Sequence, residues 1–302
     1  MEIMLAPIAL FVYNRPMHTR QTVEALRANA EAAQTALYVF SDAPSDAAAS
    51  QAVAEVRSYI RSITGFKLVT IIERETNFGL ARSIIDGVTR LCEEFGRVIV
   101  IEDDLIASPF FLKFINDGLT LYEKDERVIS VAGYTYPIKR IHAKETFFLW
   151  GTDCWGWGTW KRGWDLFEKD GAKLLAELQR RQLCYQFDAQ GTYEYTDMLR
   201  SQVDGRNDSW AIRWYASACL KNKLTLLPAH SLIKNIGLDG SGVHCSQFDN
   251  DPYSVDLWMH PIEVRPIPVQ LDQDVENSLS RYFRSIKRRR IWNFLKTKLK
   301  WF

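Results

Sequence analysis

After Arg97, the run Val98-Ile99-Val100-Ile101 is apolar and β-branched at every position, and it breaks without a spacer into Glu102-Asp103-Asp104. A run with no polar position has no solvent face. It therefore belongs in a central strand of a parallel sheet covered by helices on both sides. Three acids at the carboxyl end of such a strand stand where open α/β sheets place their ligands.

The flanking sequence repeats the plan. Pro7 to Tyr13, Thr35 to Phe40 and Phe66 to Ile72 are further β-rich runs, separated by helical patterns over Gln21 to Ala33 and from Asp46, a good N-cap, through Ile60. A third amphipathic pattern follows Asn77-Phe78-Gly79-Leu80 and reaches about Phe95. Strands alternating with helices predict successive βα units, hence an α/β protein with a Rossmann-like, mainly parallel sheet and flanking helices. Val128 to Ala132 reads as another strand, after which the pattern decays into an aromatic, glycine-punctuated stretch from Phe147 to Trp160. Helices are expected near Ala172 to Leu183 and Ser209 to Lys221, and strands at Leu224 to Leu227 and Arg265 to Val269.

A hydrophobic share of 47% over 302 residues excludes disorder and supplies an adequate core without staples. The five cysteines, Cys92, Cys154, Cys184, Cys219 and Cys245, never form C-x-x-C, so neither a disulfide framework nor a zinc site is indicated. The uncharged run Met4 to Tyr13 is too short to span a bilayer and lacks a signal peptide's basic start and cleavage site, which predicts a cytosolic protein. Phosphate-loop, serine-hydrolase and zincin motifs are absent, and Tyr13-Asn14-Arg15-Pro16-Met17 has no glycine for a nucleotidyltransferase loop.

Adjacent carboxylates oppose one another's ionisation, and a hard divalent cation, Mg²⁺ or Mn²⁺, relieves that cost while holding substrate phosphate oxygens. The alternative for Glu102 to Asp104 is a solvated acidic loop. Asn14-Arg15, Asp42, and Asn77 with Arg82 end or follow the neighbouring strands and would converge on the same edge. Asp42 can accept from the ring N–H of uracil or thymine, and Arg15 and Arg82 can offset phosphate charge. The tryptophans Trp150, Trp155, Trp157 and Trp160 suit either sugar stacking or core packing, with the glycines beside Trp155 and Trp157 favouring a site there.

The order Asn14-Arg15-Pro16, Phe40-Ser41-Asp42, Asn77-Phe78-Gly79-Leu80-Ala81 and Ile99 to Leu105 followed by Ser108-Pro109-x-Phe111 resembles the GT-A glycosyltransferases related to N-acetylglucosaminyltransferase I and the bacterial family 2-like enzymes. Trp155-Gly156-Trp157, Asp208-Ser209-Trp210 and Gly240 to Phe248 resemble later segments of the same family, so the likeness spans about residues 7 to 250. It implies a GT-A fold and an inverting, metal-dependent transfer of a sugar from a nucleotide-diphosphate donor, UDP-linked in the family pattern, to a glycan hydroxyl. By position it makes Asp104 the metal ligand, Asp103 the ribose contact, Glu102 the donor-sugar contact, Asp42 the base reader and Asp208 the catalytic base. Asp208 also suits a helix N-cap. His244 falls in the segment that resembles the loop closing on the diphosphate, and Trp157 would line the donor. The resemblance divides the chain into a nucleotide-sugar-binding half (1–135), an acceptor-binding half (136–270) and a tail (271–302). A fold of this kind that kept binding and lost turnover is the non-enzymatic alternative.

After Ser280 the tail carries nine of the 38 basic residues and no acid, leaving 29 basic against 37 acidic residues in the rest of the chain. From Phe283, the apolar residues Phe283, Ile286, Ile291, Phe294, Leu295, Leu299 and Phe302 recur at helical spacing, with Trp292 and Trp301 beside them. Such a helix suits an anionic membrane surface better than nucleic acid. The expectation is a peripheral protein on the inner face of the cytoplasmic membrane, docked through 281–302 and reaching a lipid-linked acceptor in bacterial surface polysaccharide synthesis.

Overall fold

The computed structural model describes residues 5–138, 144–239 and 251–299. Strand and helix alternate through the first half as β1 (Ile8–Val12), α1 (Pro16–Arg27), β2 (Ala36–Ser41), α2 (Ser50–Ile60), β3 (Leu68–Glu73), α3 (Gly79–Phe95) and β4 (Arg97–Glu102). Period-two alternation sorts these strands between two cores. Ile8, Leu10, Val39, Ile99 and Ile101 face Val23 and Leu26 of α1 and Val56 and Ile60 of α2. Ala9, Phe11, Phe40, Val98 and Val100 face Ile84, Val88 and Leu91 of α3. Each such side chain removed from water contributes about 1.5–3 kcal/mol, which explains why β1 and β4 contain no polar interior position.

Local chemistry shifts the helix ends. α1 begins at Pro16, earlier than expected, because proline at the first helical position loses an N–H that would be unbonded anyway. Asp46 accepts from the Ala49 N–H at 3.0 Å, so it closes the turn before α2 while the helix itself starts at Ser50. α3 stops at Gly96, whose φ of 75° is a left-handed conformation that favours glycine.

The chain continues as β5 (Leu105–Ala107), α4 (Phe111–Leu121), β6 (Val128–Ala132), β7 (Thr146–Trp150), β8 (Trp157–Trp160), α5 (Lys161–Trp164), α6 (Gly171–Arg180), α7 (Cys184–Phe187), α8 (Tyr195–Val203), α9 (Trp210–Leu220), β9 (Leu224–Pro228), β10 (Ile233–Asn235) and α10 (Gln273–Leu299). The main sheet runs β3-β2-β1-β4-β8-β6-β9-β7, and β5 pairs with β10 in a separate two-stranded ribbon. Its β3-β2-β1-β4 side is parallel throughout, and β6 is parallel to β9. β8 enters antiparallel between β4 and β6, and β7 closes the edge antiparallel to β9. The result is a mixed α/β fold with a large, mostly parallel sheet, and strands from either side of residue 135 share it.

Two expectations are corrected. Arg265 to Val269 is not a strand: Pro266 and Pro268 have no N–H for a ladder. The segment is pinned instead by the Ile267 N–H donating to Tyr122 Oη at 3.2 Å and by Arg127 donating to the Val269 carbonyl at 3.4 Å. Second, Phe283 and Ile286 do not belong to a lipid-facing stripe. With Val275 they are buried against the body, and Phe283 meets the rings of Tyr136 and Tyr193 at 5.2 and 4.8 Å. Among the described residues, no helix is long and apolar enough to cross a membrane.

Candidate active site

Because β3, β2, β1 and β4 are parallel neighbours, their carboxyl ends open on one edge and bring the loops carrying Asn77, Asp42, Asn14-Arg15 and Glu102 to Asp104 together. At its centre Arg15 Nη1 donates to Asp104 Oδ2 at 2.8 Å, and both side chains are largely buried, at 16% and 17% exposure. The Tyr13 N–H donates to Asp103 Oδ2 at 3.3 Å, and Thr22 Oγ1 in the middle of α1 donates to the Asp103 carbonyl at 2.8 Å, so the first helix and the turn before it anchor the acidic turn.

One arginine does not balance three acids. Burial, and then the charges of Asp104 and Asp103, push the Glu102 carboxyl well above its ordinary range. Burial, then Asp104, raises Asp103 to about 7, against the lowering influence of Arg15 and the Tyr13 N–H. The ionised triplet is thus held at a cost that a divalent cation would remove. Among the described residues, no three His, Cys, Asp or Glu side chains converge as metal ligands. The donor atoms offered are carboxylate oxygens, which suit Mg²⁺ or Mn²⁺ better than zinc.

β10 returns the chain across this site. It pairs with β5, directly after the acids, and the Ile236 N–H donates to the Asp104 carbonyl at 2.9 Å. Gly237 then passes so close that a Cβ there would fall 2.0 Å from Asp104 Oδ2 and 2.9 Å from Arg15 Nη1. Two residues on, Asp239 meets His18 of α1 at 3.3 Å. His244 lies outside the described residues.

Asp42 has a structural task at the edge. It is 6% exposed and accepts from the N–H groups of Ala43, Phe78 and Gly79 at 2.9, 2.8 and 2.8 Å, capping α3 from a distance and leaving one lone pair of four. Asn77 ties the same turn together, donating to the Ala43 carbonyl at 2.6 Å and accepting from the Gly79 N–H at 3.1 Å. The exposed Arg82 guanidinium lies 3.6 Å over the Phe78 ring, which holds its N–H fork in place at the same edge. Asn14 occupies the turn between β1 and α1.

Trp157 is corrected: it is fully buried in β8, stacked on Trp210 at 5.6 Å and beside Trp214 and Trp164 at 5.9 and 6.0 Å, with no face for a sugar. Its packing has a consequence for α9. Trp157 pairs with Val100 of β4, so the stack fixes the start of α9, and Asp208 before it, to the edge where the acids emerge. Ser209, not Asp208, is the N-cap, its Oγ accepting from the Ile212 N–H at 3.3 Å. Asp208 is 73% exposed and paired with Arg213 at 2.9 Å.

Sequence reasoning passed over the Asp153-Cys154-Trp155 bend between β7 and β8. Asp153 is partly buried, accepts from the Trp155 N–H at 2.8 Å, and is raised by burial to about 6. Burial pushes the Cys154 thiol well up, and the charges of Asp153, Glu102 and Asp104 add to it, so this bend lies within electrostatic reach of the triplet. The signal was an acid inside an aromatic run, which read as packing.

The fold is that of an open-sheet α/β protein, and the carboxyl ends of β1 to β4 are its candidate ligand edge. No family model matches the sequence, and no curated protein matches it. Among solved structures, a mannosyltransferase, PcManGT from Pyrobaculum calidifontis in complex with GDP-Man and Mn²⁺, is similar at 12% identity over 46% of this chain and 38% of that one, with a TM-score of 0.33. S. aureus TarS 1–349 is similar at 10% identity over 75% of this chain and 59% of that one, with a TM-score of 0.41. The chain thus spans less than two thirds of either protein.

Proposed function

We propose that this chain is a metal-dependent, inverting GT-A glycosyltransferase that moves a sugar from a nucleotide-diphosphate donor, UDP-linked, to a hydroxyl of a glycan acceptor. The observation that carries the reading is the partly buried, under-compensated Glu102-Asp103-Asp104 triplet at the carboxyl edge, held by Arg15 and crossed by Gly237. Asp104 would hold Mn²⁺ or Mg²⁺, and the cation supplies charge neutralisation for the departing diphosphate when bound.

The chain's own groups divide the donor between them. Asp103 takes the ribose, Glu102 the donor sugar, and the last lone pair of Asp42 the ring N–H of the base. Asn14 and Asn77 border the nucleotide, Arg15 and Arg82 face its phosphates, and His244 contacts the diphosphate. Inversion requires a carboxylate to take the acceptor's proton, a role the family resemblance gives to Asp208. The basic, aromatic end of α10 holds the protein on the anionic inner face of the cytoplasmic membrane, where a lipid-linked glycan of surface polysaccharide synthesis is the acceptor. The division at residues 135 and 270 into donor half, acceptor half and tail belongs to the same reading.

Calorimetric titration of UDP with Mn²⁺ and with EDTA tests it. Mn²⁺-dependent binding that Asp104→Ala abolishes is the expected outcome. Absence of UDP binding under both conditions overturns the UDP-transferase reading.

A further inference from the structure

We propose that Arg15 is the resident counter-ion of Asp104, holding the carboxylate until the diphosphate of an incoming donor draws the guanidinium away and frees it for the divalent cation. This rests on the glycosyltransferase reading and adds the order in which its site fills.

The contact is direct. Arg15 Nη1 donates to Asp104 Oδ2 at 2.8 Å, and both side chains are largely buried. Among the described residues this is the one hydrogen bond the guanidinium makes, so most of its five N–H donors remain unused. A dication on the other oxygen of the same carboxylate would stand beside that guanidinium, and like charges so close repel. The two cations therefore compete for Asp104 whichever oxygen is used.

Only the side chains are free to change partners. The Arg15 carbonyl accepts from the Thr19 N–H at 2.9 Å and from Thr19 Oγ1 at 2.8 Å, which locks its backbone to the start of α1. On the other side, the Asp104 carbonyl accepts from the Ile236 N–H at 2.9 Å. Two fixed backbones joined by one single-point bond make an exchangeable pair. A guanidinium fork matches acceptors that take two N–H groups at once, which a diphosphate offers and one carboxylate oxygen does not.

The segment after β10 keeps the pair closed. The Gly237 N–H donates to Asn235 Oδ1 at 2.7 Å, and Gly237 lies over the pair so closely that a side chain there would strike both Asp104 Oδ2 and Arg15 Nη1. Asp239 then reaches His18 of α1 at 3.3 Å, while β10 itself is paired with β5 directly after Asp104. The segment thus ties together the two elements that carry the pair, and it covers the carboxylate with Arg15 already on it.

The consequence is a coupling of two ligands. In the nucleotide-free protein the apparent metal affinity is reduced by the fraction of molecules in which Asp104 is unoccupied. A diphosphate that takes the guanidinium removes this penalty. By linkage, the metal strengthens nucleotide binding through the same exchange and by the same factor.

The test reads free Mn²⁺ by electron paramagnetic resonance as the full chain is titrated with and without UDP. Wild type is expected to bind Mn²⁺ weakly by itself and at least about tenfold more tightly with UDP present, the factor to which one charge-assisted bond corresponds. Arg15→Ala should bind Mn²⁺ alone at least about tenfold more tightly than wild type, while its UDP affinity falls. Millimolar guanidinium, compared with equal NaCl, should lower the Mn²⁺ affinity of Arg15→Ala back toward wild type by refilling the vacated position. Arg15→Gln, closer in shape, repeats the measurement should the alanine variant fail to fold. If wild type binds Mn²⁺ with UDP but the variants bind the metal alone no more tightly than wild type, or NaCl weakens it as much as guanidinium, the role of Arg15 is overturned and the transferase reading stands. Wild type that binds neither Mn²⁺ nor UDP sinks that reading instead.

Discussion

Asp103 illustrates how a single side chain can be set against the fold that holds it. Its carboxyl is raised to about 7 from an ordinary 3.8, chiefly by burial. The folded protein therefore keeps a proton that the unfolded chain releases, and between about pH 4 and pH 7 stability contributed through this group falls as pH rises. The slope is at most on the order of 1.4 kcal/mol per pH unit. Denaturant unfolding in EDTA should show Asp103→Asn gaining stability relative to wild type across that window, with Mn²⁺ narrowing the gap. A difference that shrinks as pH rises would show that the carboxylate is compensated in some other way. The same scale separates Asp42 from its neighbours: three backbone N–H groups make it a cap as well as a candidate ligand, a double duty invisible until β2 and the start of α3 are brought side by side.

At the scale of elements, β8 and α10 carry the argument. Trp157 sits at 0% exposure between sheet and α9, so Trp157→Ala should cost about 3–5 kcal/mol of unfolding free energy, measured in urea. A near-neutral result would mean that the side chain faces a ligand space after all. α10 changes surroundings along its length, because Val275, Phe283 and Ile286 are buried in the body while Trp292 is 59% exposed. Removing residues 290–302 is expected to leave the melting temperature unchanged and to release the protein from anionic vesicles. Vesicle binding that survives the truncation would remove the basic end as the anchor. Deletion from Arg281 would be a poorer experiment, since it strips Phe283 from Tyr136 and Tyr193.

Across the whole molecule, the candidate ligand edge of β1 to β4 was legible and the arrangement of the second half was not. β1 to β4 are short-range features: an apolar run, a polar end and an amphipathic helix occur in order, and parallel neighbours must open on a common edge. Arg15, Asp42, Asn77, Arg82 and the acidic triplet could therefore be grouped before any coordinates. β8 could not be foreseen, because Trp157-Gly158-Thr159-Trp160 reads as a loop until it is inserted antiparallel between β4 and β6. The ring contacts of Trp155 and the left-handed turn at Ala189 to Gly191 depend on partners far away in sequence, among them Tyr253 and Ser280. Apolar periodicity and strand-end acids thus determined the α/β class and the candidate ligand edge from sequence alone. Tertiary structure decided which tryptophans are core, which carboxylates are compensated and where α10 leaves the body, because burial and charge pairing are properties of neighbours in space, not of neighbours in the chain.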